Sequence, residues 1–300
     1  MVLRRRSRAG RNWSPALSSH ICRTCGVWYP PSDDPPSHCA ICEDDRQYVP
    51  QGGQQWLVPA ELKAKHTNRI EDDDGVLGIG MRPSFAIDQR CVLVEAVNGT
   101  VLWETTSLVT DKAVAEILDR GPVKAIAISH PHFYAAMHAW AEALDCPILL
   151  PSVDYAWVQH KSSRIQFWEG RRHEIVPGLT LIRCGGHFEG SSVLHWQDRC
   201  CPEGFLFTGD TLQVAADRKR VSAMHSYPNA VPLGPSSIGN IAAELKGLKY
   251  ANVYGYTWGR NILGDGNERV DQSLARYLAA ISDGLPRTTH AAFCSDPLAH

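Results

Sequence analysis

The stretch AIAISHPHFYAAMHAW, residues 125–140, decides how the rest of the chain is read. An apolar, β-prone run from Ala125 to Ile128 ends at Ser129 and delivers His130 and His132 one residue apart. A helix-like segment, Tyr134 to Leu144, follows at once. In extended backbone, side chains two apart point to the same side. An H-x-H at the end of a buried strand therefore aims two imidazoles at one point. Two neutral imidazoles there are half of a metal site, although a strand-end histidine standing alone is as readily a structural core group.

Two later stretches repeat this grammar of a buried strand followed by a polar ligand. In LTLIRCGGHFEGSS, residues 179–192, the strand runs into Gly185 and Gly186, which permit a tight turn or a close backbone approach, and then into His187. In GFLFTGDT, residues 204–211, it runs into Gly209 and then Asp210. Three neutral imidazoles on zinc with an open fourth position lower the pKa of a bound water to about 7. A carboxylate alongside can coordinate the metal, orient the water or accept its proton. His130, His132, His187 and Asp210 are thus the candidate ligands, with Asp210 as fourth ligand or base.

The N-terminal part carries a different metal signal. In ICRTCGVWYPPSDDPPSHCAICEDDRQYVP, residues 21–50, Cys22 and Cys25 form one C-x-x-C, Cys39 and Cys42 a second. Each pair can wrap a tight knuckle, and four thiolates make a closed structural zinc site. The Pro-rich spacer has no core of its own, so metal would supply the stability that burial cannot. The alternative is reactive or incidental cysteines, and His20 and His38 stand beside the knuckles as substitute ligands. Such a ribbon is a possible docking piece for a protein partner; the acidic Glu43-Asp44-Asp45 weighs against nucleic acid.

Bulk properties bound the rest. The 300 residues are 44% hydrophobic and 21% charged, with net charge −2, the profile of an ordinary globular chain without a positive field for nucleic acid or membrane. No apolar run approaches the roughly 18 residues of a membrane span, and no signal-peptide core follows the start. Ten cysteines without a secretion signal point to a reducing, cytoplasmic setting. Arg4, Arg5, Arg6, Arg8 and Arg11 precede the first acidic residue, Asp33. That start reads as a flexible basic arm, with an organelle-import segment as the alternative.

Between these landmarks, hairpin strands flank Asn98-Gly99, and DKAVAEILDRG reads as a helix capped by Asp111. Residues 51–74 are polar and turn-rich apart from a short helical patch, Pro59 to His66, and read as linker or edge. Further helices are expected over Ser236 to Leu248 and Glu268 to Ile281. Two hairpin-rich blocks, each closed by helices, predict an α+β sandwich rather than a doubly wound sheet. No dinucleotide-binding, P-loop or nucleophile-elbow motif is present.

His130-x-His132, then Gly186-His187, then Gly209-Asp210 resembles the metallo-β-lactamase superfamily over residues 76–285. The resemblance implies an αββα sandwich for the large domain at 76–300; outside it lie the basic arm at 1–19 and the zinc ribbon and linker at 20–75, a combination that suggests an uncharacterised, zinc-ribbon-bearing subgroup. The resemblance also implies metal-dependent hydrolysis of an ester, thioester, lactam or phosphoester of a small-molecule substrate by metal-bound hydroxide. The family's full motif, H-x-H-x-D-H, supplies second-metal ligands where this chain has Tyr134 and Ala135, and the late histidine of the family falls where it reads YGYTWGR, residues 254–260. One metal, zinc or iron, is therefore expected, with the Tyr134 hydroxyl as a catalytic donor. His138 and His225 are further candidates for the site, and Tyr256 and Trp258 for its wall, against ordinary packing in each case. A mononuclear non-haem iron oxidative enzyme and a catalytically weakened metal-binding protein are the alternatives to hydrolysis; a nuclease is a weaker one, since such enzymes use two metals.

Overall fold

Along the strand Cys91–Ala96 successive side chains fall to opposite faces, as the period of two requires. Cys91 and Leu93 join one core cluster, Val92 and Val94 another. The computed structural model describes residues 17–97, 99–199 and 201–282, and this alternation organises its layers. The basic arm lies largely outside the described residues, as does Asn98.

A small sheet of β1 (Ser18–Cys22), β2 (Trp28–Ser32) and β3 (Trp56–Leu57) opens the fold, followed by helix α1 (Pro59–Lys65). Seven strands then form the first large sheet: β4 (Thr67–Asp72), β5 (Leu77–Arg82), β6 (Cys91–Ala96), β7 (Gly99–Trp103), β8 (Val123–Ala127), β9 (Ile148–Pro151) and β10 (Ile165–Trp168). They lie side by side in sequence order. Helices α2 (Asp111–Leu118) and α3 (Met137–Ala143) cross over between the parallel strands β7, β8 and β9, as parallel pairing demands.

The second sheet begins with β11 (Arg172–Val176), β12 (Leu179–Arg183), β13 (Ser192–Trp196) and β14 (Phe205–Phe207). Two short ribbons follow, β15 (Gln213–Val214) with β16 (Val221–Ser222) and β17 (Met224–Ser226) with β18 (Val231–Pro232). After α4 (Pro235–Leu245), β19 (Asn252–Tyr254) and β20 (Asn261–Ile262) complete the six-stranded sheet, and α5 (Gly266–Ser282) closes the described chain.

Three apolar layers hold these pieces. Val101, Ala125, Leu181 and Phe207 lie between the sheets. Ile117, Ile126 and Trp140 pack α2 and α3 outside the first sheet, and Val193, Ile241 and Leu274 pack α4 and α5 outside the second. The αββα sandwich of the expected α+β class is the result. No described helix is long and apolar enough to cross a membrane.

Three local readings shift. Thr67–Asp72 is the edge strand of the first sheet, paired with β5 over its full length, so the sheet begins ahead of the expected boundary at 76. Its half-buried, polar side chains give the text of a linker. The cap of α2 is Thr110, whose Oγ1 accepts the Ala113 N–H at 3.3 Å, rather than Asp111. The segment expected to be helical from Tyr134 begins only at Met137, because Pro131–Phe133 form a 3-10 turn and Ala135 takes a positive φ of 25°.

The cysteine ribbon is built into the sandwich rather than appended to it. Cys22, Cys25, Val27, Tyr29, Cys39, Ile41 and Cys42 belong to the same buried cluster as Phe133, Trp140 and Ile126. Trp28 donates from its main chain to Ala135 O and from its indole to Ser107 O, both at 3.0 Å. Gly26, at φ +80°, makes the approach possible: a Cβ there would stand 2.3 Å from Ser107 Oγ, which itself donates to Gly26 O. Gly53 has nearly the same φ, +82°, with nothing within 4 Å. Gly53→Ala is expected to cost about 1 kcal/mol of backbone strain, and Gly26→Ala about 2 kcal/mol or more because the clash adds to it. Urea unfolding of both variants checks the difference; equal losses would mean that the ribbon's approach is not tight.

Candidate metal centre

Every candidate ligand stands just beyond the C-terminal end of a strand. β8 leads into His130 and His132, β12 into His187 and β14 into Asp210. The glycines before the last two have steric work. Gly186 lies at φ +93°, where a Cβ would meet Leu233 Cδ1 at 3.0 Å, and a Cβ on Gly209, at φ +50°, would stand 2.4 Å from Ser129 Oγ. The two sheets join at this edge through Ser192 N–H to Ser129 O, 3.1 Å.

One donor atom from each of His130, His132, His187 and Asp210 lies within 4.8 Å of the others, and all four residues are buried. His187 Nε2 is 3.2 Å from His132 Nδ1, and Asp210 Oδ2 is 3.5 Å from His130 Nε2 and 4.0 Å from His187 Nε2. Outer contacts orient the rings. His187 Nδ1 meets only carbonyls, Met224 O at 3.1 Å and His225 O at 2.8 Å, so it carries the proton and leaves the Nε2 lone pair facing inward. His130 Nδ1 is 2.6 Å from Ser129 Oγ, and Ser129 N–H donates to Glu104 Oε2 at 3.1 Å. Tyr227 donates its hydroxyl to Asp210 O at 2.9 Å.

Burial keeps the imidazoles neutral. It lowers the His130 pKa to about 3 and that of His187 to about 4, and carries His132 well below the ordinary histidine range. The same desolvation raises Asp210 to about 6, opposed by His187. His130 Nε2 faces the group with no hydrogen-bond partner, and His132 Nδ1, His187 Nε2 and Asp210 Oδ2 face the same point. An unpaired buried polar atom costs about 1–3 kcal/mol; inward-facing lone pairs around one point are satisfied together by a cation. The donor set therefore fits a metal.

The other expected positions separate from this group. His138 packs against His160 with tilted rings, centroids 4.2 Å apart, and is outside the donor set. His225 turns its ring to Asp45 at 3.0 Å and serves the site through its carbonyl. Tyr134 is buried with an unpartnered hydroxyl, its pKa raised by burial and then by Asp154 and Glu104. Tyr256 lies beside the site: Gln213 donates to its hydroxyl at 3.0 Å, and the Asp210 charge helps burial push it up to about 12. Trp258 packs across Gly78 and Gly80 with the Arg69 guanidinium 3.9 Å from its ring, as ordinary packing expects.

Sequence reasoning missed Glu104, Ser129, Gln89 and Arg46. Glu104 follows the same pattern of a polar residue ending an apolar strand and was legible on that ground. Gln89 and Arg46 sit in aperiodic loops and carry no such signal.

The second group is equally well formed. Cys22 Sγ–Cys42 Sγ and Cys25 Sγ–Cys39 Sγ are each 3.6 Å apart, and all four sulfurs lie within 4.8 Å. This is far beyond the ~2.05 Å of a disulfide and near the ~3.8 Å edge of a tetrahedron with zinc–sulfur bonds of ~2.3 Å. The thiols are free.

Fold and site together define a protein of the metallo-β-lactamase fold with a four-cysteine group and a three-histidine, one-aspartate group, both able to bind metal. Among solved structures the chain is similar to VMB-1, with a TM-score of 0.52 and 15% identity over 71% of this chain and 97% of that one. It is likewise similar to DIM-1 metallo-β-lactamase exposed to ceftazidime, with a TM-score of 0.51 and 13% identity over 71% and 95%. At such identities the likeness establishes the fold alone. No family model matches. The uncharacterized protein YmaE of Bacillus subtilis (strain 168) is 39% identical over 272 residues, spanning 90% of this chain and 99% of that protein. The chain belongs to the same family as YmaE.

Metal-saturated protein is expected to hold two ions per chain, with Cys39→Ser and His132→Ala each losing one. Elemental analysis after gel filtration measures this, and a third bound ion would contradict the single-ion reading of the histidine group.

Proposed function

We propose that this chain is a mononuclear metal-dependent hydrolase in which His130, His132, His187 and Asp210 hold one zinc ion. The observation that carries this is the convergence of three neutral imidazoles and one buried carboxylate at a sheet edge. Zinc is favoured over iron because three imidazoles converge here, rather than two with one carboxylate. A metal bound there supplies an electrophile and lowers the pKa of water toward neutrality. A single ion is supported by Tyr134 and Ala135, which stand where second-metal ligands would follow the H-x-H.

The residues then divide the work. The Met224 and His225 carbonyls hold His187 in one tautomer, and Ser129 orients His130. Asp210, with its acidity shifted to about 6, is a fourth ligand through Oδ2 or accepts the proton of an attacking water at Oδ1. Tyr134 stays protonated through burial and has a hydroxyl free to donate to the oxygen of a scissile carbonyl. The substrate is a small ester, thioester, lactam or related molecule. The free thiols of Cys22, Cys25, Cys39, Cys42, Cys91, Cys146 and Cys184 support a cytoplasmic setting, and the four-cysteine group is assigned zinc as a structural ion.

A panel of such substrates, assayed with metal analysis, tests the reading. Asp210→Asn should lower kcat/KM by at least ~10²-fold. Tyr134→Phe should lower kcat on the order of 10²-fold with little change in stability, since its hydroxyl bonds to nothing in the protein. An unchanged kcat removes Tyr134 from the mechanism. Iron content with oxygen uptake in place of hydrolysis would replace the whole reading by oxidation.

A further inference from the structure

Two side chains tie the cysteine group to the histidine group. Gln89 is buried, and its Nε2 donates to Cys25 O at 2.6 Å and to His132 O at 3.2 Å. A single amide nitrogen thus spans the main chain of one ligand from each group. On the other knuckle, Arg46 follows Cys42 by four residues and donates from Nε to His187 O at 2.5 Å. Arg46 is itself held: Asp44 takes its Nη1 on both carboxylate oxygens, at 2.7 and 2.8 Å, and its guanidinium carbon lies 4.5 Å from the centre of the Phe188 ring. The adjoining loop is clasped as well. Asn229 Nδ2 donates to Asp45 O and Gln47 O at 2.9 and 3.1 Å, and the Asp45 carboxylate meets His225, whose carbonyl receives His187 Nδ1.

We propose that the two groups are one thermodynamically coupled pair of metal sites, in which an ion on Cys22, Cys25, Cys39 and Cys42 raises the affinity of the histidine group, with Gln89 and Arg46 as the positioning residues. The proposal rests on both groups holding metal, as read above. Its physical basis is geometric. The conformation of each knuckle is set by where its thiolates point, and four of them converge only around a cation. Closing the knuckles fixes Cys25 O and the Arg46 main chain, and these place the carbonyls of His132 and His187. Ligand placement is the quantity on which metal affinity depends, and groups outside the ligand set commonly alter that affinity 10–100-fold. Coupling must be reciprocal, so an ion on the histidine group tightens the cysteine group by the same factor.

Cobalt(II) titration of metal-free full-length protein tests this without any turnover assay. Thiolate-to-cobalt charge-transfer absorption reports the cysteine group, and visible d–d bands in its absence report the histidine group. Cys39→Ser should weaken cobalt binding to the histidine group by about 5- to 150-fold, the usual range of coupling between sites. Gln89→Leu and Arg46→Leu keep all eight ligands; combined, they should weaken the histidine group to a similar extent. In that double variant, His187→Ala should no longer lower the affinity of the cysteine group, as it does in the parent. Arg46→Lys, which restores a donor toward His187 O, should recover part of the loss. If Cys39→Ser does not fold, as circular dichroism will tell, the Leu variants decide alone. Wild-type affinity at the histidine group in the Leu double variant overturns the proposal. Coupling without detectable hydrolysis would overturn the functional reading and leave the coupling standing.

Discussion

Ser129 is the residue on which the centre depends, because its three polar groups connect what three separate parts of the chain contribute. Its N–H is held by the Glu104 carboxylate at the end of the neighbouring strand, its carbonyl receives Ser192 N–H from the second sheet, and its hydroxyl meets His130 Nδ1. All of this takes place with Ser129 and His130 at 0% exposure. Under such burial every one of these groups needs a partner, so sheet register, the turn after β8 and the orientation of the first ligand are solved together. Glu104, at a positive φ of 69°, is part of the same solution. Desolvation raises its pKa well above the carboxylate range and the Ser129 bonds work against that shift.

How far this was legible in the sequence follows from what kind of interaction each residue makes. His130, His132, His187 and Asp210 act through their side chains at the ends of apolar strands, and both features are written in residue type and period. The αββα layering was legible for the same reason, since β6 and β8 carry their burial patterns openly. Gln89, Arg46 and the His225 carbonyl act on main-chain atoms across long separations, and no pattern of side chains encodes a carbonyl's acceptor. The edge strand Thr67–Asp72 escaped because an edge needs only partial burial, and its alternating polar text is compatible with a loop.

The residues where the resembling family places second-metal ligands have a different occupation here. The backbone of 133–136 is spent on holding neighbours: Phe133 O accepts Thr105 Oγ1 at 2.7 Å, Ala135 O accepts Trp28 N–H at 3.0 Å, and Ala136 N–H reaches Thr106 O at 3.3 Å. Ala135 adopts φ +25° in doing so. The other expected position, residues 254–260, is likewise bound up in structure. Gly255 O accepts from the fully buried Arg90, which pairs with Asp73, while Gly259 N–H donates to the same aspartate at 3.1 Å. Breaking such a buried pair costs ~3–5 kcal/mol, so this segment serves the cohesion of the two sheets.

The ribbon and the chain trace after the H-x-H are therefore aspects of one arrangement. Trp28, which bonds to Ala135, belongs to the strand that leaves the first cysteine knuckle, and the carbonyl of Cys25 in that knuckle shares Gln89 with His132. The space and hydrogen-bonding capacity that a second metal's ligands would claim after the H-x-H are used to seat a cysteine group against the outer face of the first sheet. In the proposed single-ion reading there are fewer metal–ligand bonds to define the geometry, so more of that definition would come from the protein. The bonds placed to supply it are those that reach the carbonyls of His132 and His187 from Gln89 and Arg46, beside the four convergent sulfurs.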